Sequence, residues 1–124
     1  MNGALEIRNI LKANAGVIAI IGTSDKVSIG IASPPEWSLS DTTALIYQSG
    51  IRDATLEYYE TEFTVDCRAT TEPKSIALQD AVIEAINRKS TSTGIFKCSA
   101  YAVIPPVDES DNYNTPAAIR VTGK

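Results

Sequence analysis

"LEYYETEFTVDCRATTEPKSIALQDAVIEAINRK", Leu56 to Lys89, changes its hydrophobic period halfway along. In the first half Phe63, Val65, Cys67 and Ala69 alternate with Glu62, Thr64, Asp66 and Arg68. A period of two separates the sets onto opposite faces of a strand, so an antiparallel-type strand with one buried and one wet face is expected. In the second half Leu78, Ala81, Val82, Ala85 and Ile86 recur at helical spacing, with Asp80, Glu84, Asn87 and Arg88 between them. Thr71-Glu72-Pro73 is a start signal, because proline is tolerated in a first turn whose N–H groups have no partner anyway. The basic pair Arg88-Lys89 at the far end suits the helix dipole.

Upstream, "NGALEIRNILKANAG" places Leu5, Ile7, Ile10 and Leu11 on a broad apolar stripe, and Asn14 and Gly16 weaken the helix near its end. "VIAIIG" reads as a short apolar turn or second helical piece, apolar all round and so covered by the rest of the domain. Val27, Ile29 and Ile31 alternate with Ser28 and Gly30 as a strand, which Ser33-Pro34-Pro35 ends. Trp37 follows in the loop. "TALIYQ", 43–48, is a second short strand, and Ser49 to Asp53 reads as a turn because it carries Gly50, Arg52 and Asp53.

Downstream of the helix, "STSTG" is a break and "IFKCSAYAVI" resumes as a strand that Pro105-Pro106 stops. A polar tongue, Val107 to Thr115, then leads to the returning strand "AAIRV". The expected product is an α/β (α+β) fold in one domain over residues 1–124. It has a single mixed or antiparallel sheet of four to five strands, with two main helices packed on one face.

Composition narrows the function. The 124 residues are 44% hydrophobic and 21% charged, ordinary for a folded protein, and no apolar run approaches the ~20 residues of a membrane span. "AGVIAIIG" is too short for one and lacks the flanks of a secretory signal, so an intracellular or assembly-associated protein is expected. The formal charge is −4, and from Asp41 to Asp66 six acids face only Arg52. Such a surface repels phosphate and disfavours nucleic-acid binding. Its ordinary reading is a solvated strand face. Its functional readings are contact with a basic partner, or a wall along which DNA slides without sticking.

The chemistry of a catalyst is missing. There is no histidine, no GxSxG, no Walker-type loop, no GxGxxG and no HExxH. Glu60 and Glu62 lie two apart on a strand, more the mark of a wet face than of a paired-acid mechanism. Cys67 and Cys98 lack metal-ligand spacing and fall on the apolar phase of strands, where a thiol is a small hydrophobe. No catalytic residue, cofactor or metal is assigned, and the expected role is structural.

The succession of a helix, an apolar turn ending in Gly22, the strand "KVSIGI", the loop "SPPEW", the strand "EFTVDCRATT", the helix "PKSIALQDAVIEAIN" and the hairpin "DESDNYNTPAAIRV" resembles the tail terminator, or tail completion, proteins of tailed bacteriophages. The resemblance implies a closed ring, commonly a hexamer, assembled in the host cytoplasm and resident in the virion at the head–tail junction. It implies that the ring caps the tail tube, ends its elongation and receives the head-completion proteins. DNA would pass through without specific binding, and no membrane is involved. The family has no motif that assigns residues to the channel by position. From this sequence, the candidate subunit or partner contacts are Trp37, Arg52, Tyr113 and Asn114, on three loops able to carry adhesive surfaces. The candidate channel-facing acids are Asp53, Glu57 and Glu60. Competing readings are another phage neck or head-closure connector and a cellular ligand-binding α/β domain.

Overall fold

The computed structural model describes residues 3–30, 41–54, 59–89, 96–102, 107–109 and 112–123. Helix α1 spans Gly3–Ala13 and α2 spans Ala15–Ile21. One residue separates them. Asn14 ends α1 and caps α2, its Oδ1 accepting from the Val17 N–H at 3.0 Å. Gly22, at φ 96°, closes α2 in the left-handed region that glycine enters without a Cβ penalty. Only Val17 and Ile21 of α2 are buried, so this apolar helix is covered on one side and not all round as its composition suggests.

A 3-10 turn, Ser24–Lys26, leads into β1, Val27–Ile29. The other strands are β2 (Thr43–Ala54), β3 (Tyr59–Ala69), β4 (Phe96–Ala102), β5 (Val107–Glu109), β6 (Asn112–Asn114) and β7 (Ala117–Gly123). Helix α3, Glu72–Lys89, connects β3 towards β4. Seven segments fill five lanes. Strand β3 pairs β2 on one side, and on the other it pairs β7 along Tyr59 to Val65 and β6 at Arg68 and Ala69. Outside that lane, β4 pairs β7 and β5 pairs β6. The order is β1, β2, β3, then β6 with β7, then β5 with β4. Among the described strands only β1–β2 is a parallel pair, so the sheet is mixed, as expected.

All three α-helices among the described residues pack on one face. Ile7 and Leu11 of α1, Val17 and Ile21 of α2, and Leu78, Val82, Ala85 and Ile86 of α3 meet Ala44, Ile46, Phe63, Val65, Cys67, Ala117, Ile119 and Val121 of the sheet. The strand residues are one phase of the alternation, paired row by row: Ala44 with Cys67, Ile46 with Val65, Phe63 with Ile119. At about 25 cal/mol per Å² of apolar surface removed from water, this shared core is the main stabilising term.

The expected turn at Ser49–Asp53 is a strand. Two register shifts, between Gln48 and Gly50 and between Ile51 and Asp53, let β2 absorb its extra residues as bulges and stay paired with β3 to Ala54. Trp37 and Glu57 lie outside the described residues. Cys67 and Cys98 are far apart. Cys98 shares its row with Val121 and Thr61, two lanes from β3 and six residues short of Cys67. At ~3.3 Å per residue that is roughly 20 Å along the strand, beyond the reach of a disulfide.

Candidate functional site

The tongue is built into the sheet. Its two short strands, β5 and β6, extend the outer lanes, and β6 docks on the last two residues of β3. Between β6 and β7 the lane is interrupted at Thr115-Pro116, since proline has no N–H for the ladder. A buried polar latch fills the interruption. The Thr115 N–H donates to the Cys67 carbonyl at 2.9 Å, and Ser75 Oγ donates to the same oxygen at 2.7 Å. The Ser75 and Thr115 hydroxyls are hydrogen-bonded to each other, and Gln79 Nε2 donates to the Pro116 carbonyl at 2.6 Å. Ser75, Gln79 and Thr115 are all at least nine-tenths buried. These polar groups are therefore satisfied by one another, and the first turns of α3 fix where the tongue leaves the sheet.

The sheet face opposite the helices carries the polar phase, and it is drier than the alternation suggests. Asp66 is 7% exposed, Leu45 2% and Ala118 3%. Tyr47 and Arg68 close over Asp66. The Tyr47 hydroxyl donates to Oδ1 at 3.2 Å, and the Arg68 guanidinium lies 3.7 Å from Oδ2. Burial, then the Asp66 carboxylate and its hydrogen bond, raise the Tyr47 pKa above its ordinary 10.0. Farther along, Glu62 stands opposite Arg120, an opposite-charge pair in register. Burial also pushes the Cys67 thiol well up, the direction of an inert thiol and not of a nucleophile.

The candidate residues separate to two ends of the sheet. Tyr113 is half-buried opposite Ala69, in the phase of the helix-packed face. Asn114 is 6% exposed, in the row of Arg68 and Val107, and its Oδ1 accepts no hydrogen bond among the described residues. Burial there follows from the hairpin being part of the sheet and not a free tip. At the other end, Asp53 and Glu60 are ladder partners where β2 gives way to β3, and Arg52 sits beside them in β2. The side chains of Arg52, Asp53 and Glu60 lie outside the described residues. Eight residues of β3 separate Glu60 from Arg68, roughly 26 Å at ~3.3 Å each.

A cleft of about 330 Å³ between the start of α2 and α3 is lined by Asn14, Ala15, Gly16, Ala81, Glu84 and Ala85. Its lining offers one carboxylate and no nucleophile. Among the described residues no group of three or more His, Cys, Asp or Glu could hold a metal, and no helix is long and apolar enough to cross a membrane.

The sequence missed the Ser75–Thr115–Gln79 latch. Its signal is present: Ser75 and Gln79 stand on the same helical stripe as Leu78, Val82 and Ile86, polar residues at core positions that need partners.

No protein-family model matches this chain, and no curated protein does. Solved structures do. One is a chain in the virion of a native gene transfer agent particle. It aligns with a TM-score of 0.65 over 98% of this chain and 95% of that chain, at 17% sequence identity. The two share a fold from end to end.

Proposed function

We propose that this chain is a structural component of a phage-type virion, and within it the tail terminator: a ring at the head–tail junction that caps the tail tube, ends its elongation and receives the head-completion proteins. The observation that carries the virion reading is the fold shared with a gene transfer agent virion chain across nearly all of both chains. The narrower role is supported by the order of elements, with the amphipathic helix α3 between the long strand and the final hairpin.

The placement of the candidate residues suits a body that touches different partners at its two ends. The tongue with Tyr113 and Asn114, held by α3, is one end. Asp53 and Glu60 are the other, with Arg52 beside them. In this reading the acids keep phosphates off the channel wall. Trp37 belongs to the contacts between subunits or with the tube.

Electron microscopy of purified protein added to its growing tail tubes tests the role. The expected result is density at a single end of each tube, with further growth blocked. Tubes that lengthen unhindered with bare ends refute the terminator, and density at the portal instead identifies a neck connector.

A further inference from the structure

We infer that copies of this chain join through their helices, the Leu5–Arg8–Lys12 flank of α1 in one copy seating on the Ala77–Asp80–Glu84 stripe of α3 in the next. The inference rests on the ring reading above and names a surface that would build the ring.

Charge is spread unevenly over the helical layer. Arg8 and Lys12 stand one turn apart on one flank of α1, and Leu5, three residues before Arg8, shares that flank. Leu5 is 40% exposed, one of the exposed large hydrophobic residues among those described. Lys26 is engaged 3.1 Å from Asp41, and Arg68 lies beside Asp66, whereas Arg8 and Lys12 have no ion pair among the described residues. Arg8 is half-buried, and its Nε, shielded from water, donates to no acceptor among those residues. The flank thus joins an uncovered apolar side chain to two cations that no carboxylate of their own subunit neutralises.

The complement is on the same chain, and spacing and charge together identify it. Ala77, Asp80 and Glu84 are all exposed, and they repeat the i, i+3, i+7 intervals of Leu5, Arg8 and Lys12. A small residue stands where α1 has a large one, and two acids stand where it has two bases. Asp80 has no ion pair among the described residues. Two helices laid side by side in the same direction set Leu5 against Ala77, Arg8 against Asp80 and Lys12 against Glu84. Beside the stripe lies the cleft of about 330 Å³, with Glu84, Ala15, Gly16, Ala81 and Ala85 in its lining. Those short side chains give the aliphatic stem of an incoming Lys12 an apolar wall while its ammonium meets the carboxylate. Within one subunit the match goes unused, because α1 and α3 pack through Ile7, Leu11, Leu78 and Val82 in the core. A contact between two different patches is heterologous and closes into a ring by rotation. Each joint is small and gains strength from repetition around the ring.

Reciprocal charge reversal tests the contact. Arg8→Glu sets like charges against Asp80 of the next copy, and Asp80→Arg sets them against its Arg8. Each variant alone is expected to self-associate roughly fivefold more weakly at low salt, an attraction having become a repulsion of similar size. Mixed one to one, the two variants restore opposite charges at every joint when they alternate. The expected result by native mass spectrometry is recovered rings holding each variant in equal number, a rescue that an effect confined to one subunit does not give. Lys12→Glu with Glu84→Lys repeats the design one turn on, should urea unfolding show that Arg8→Glu does not fold. Variants that each form rings as readily as the wild type, or that stay weak after mixing, overturn the helix contact while leaving the ring standing. A wild-type chain that stays monomeric at high concentration and on tube ends overturns both.

Discussion

Removing the Ser75 hydroxyl should destabilise the protein more than removing that of Thr115, although the two groups bond to each other. A serine hydroxyl has one hydrogen. Ser75 spends it on the Cys67 carbonyl at 2.7 Å, so the bond between the hydroxyls must be donated by Thr115 and accepted by Ser75. Ser75→Ala then deletes two hydrogen bonds and leaves the Thr115 hydroxyl, in a residue 1% exposed, with a donor and no acceptor. At ~1 kcal/mol net per bond and ~1–3 kcal/mol for a stranded buried group, the expected loss is about 3 kcal/mol. Thr115→Val keeps the shape, removes one bond and strands only a lone pair of a hydroxyl whose proton is still placed, for a loss of about 1 kcal/mol.

The double variant, Ser75→Ala with Thr115→Val, replaces both ends of the pair by apolar groups. It should cost no more than Ser75→Ala alone, a non-additivity of about 1 kcal/mol. Urea unfolding at neutral pH measures all three, with an unchanged slope required so that midpoints report stability. The carbonyl keeps its bond from the Thr115 N–H throughout, so the β3–β6 junction stays defined. Equal costs for the two single variants, or an additive double, would refute the donor assignment and with it the account of how α3 seats the tongue.

The raised pKa of Tyr47 makes stability fall with alkali. Above the unfolded value of about 10 the unfolded chain loses this proton while the folded one keeps it, so the stabilisation present below that pH is lost as pH rises through the folded value. Urea unfolding at pH 8 and pH 10.5 should show a smaller drop for Tyr47→Phe than for the wild type; equal drops would remove the linkage. Asn14→Ala deletes the α2 cap and should cost about 1 kcal/mol. A Cβ at position 16 would meet the Asn14 Oδ1 at 3.2 Å, so Gly16→Ala should be neutral or destabilising in the wild type yet stabilising, by up to ~1 kcal/mol of helix propensity, in the Asn14→Ala background. Melting temperatures of the four proteins decide it, and the same sign in both backgrounds counts against the contact. Finally, Glu57→Gln with Glu60→Gln should slow DNA ejection from assembled particles, more so at low salt, where electrostatics are least screened. Unchanged ejection kinetics at every ionic strength would take these acids off the channel wall.

Which parts of the fold the sequence discloses depends on how long a period runs uninterrupted. Strand β3 and helix α3 are plain because alternation from Glu62 to Ala69, and then a helical stripe from Ser75 to Ile86, each persist long enough to fix a face. Strand β2 is legible only to Gln48. Beyond it, Gly50, Arg52 and Asp53 have the composition of a turn, and only the ladder to β3 shows that two bulges keep them in the sheet. The prolines mislead in the same way. Pro116 reads as the boundary between a tongue and a strand, whereas it interrupts one lane whose two halves both pair β3. Local punctuation reports what a segment does alone, and these segments are held by neighbours distant in sequence.

The latch shows the same limit for the site. Ser75 and Gln79 are recognisable as polar residues on an apolar stripe, but their partners are forty and thirty-seven residues away, and no local pattern points to Thr115 or Pro116. What the sequence conveys about function is of another kind. The absence of histidine, of a phosphate loop and of the common catalytic motifs gives the sequence no local signature to read, and the surfaces it offers are assembled in the sheet from residues distant in sequence. The tongue illustrates this: a hairpin already paired to β3 and held by α3 has lost its conformational freedom on folding, so it would pay little further ordering entropy on meeting a partner. Under the proposed role, a pre-ordered hairpin of this kind suits docking in one orientation. Loosening the latch should therefore weaken docking by more than the lost contacts alone.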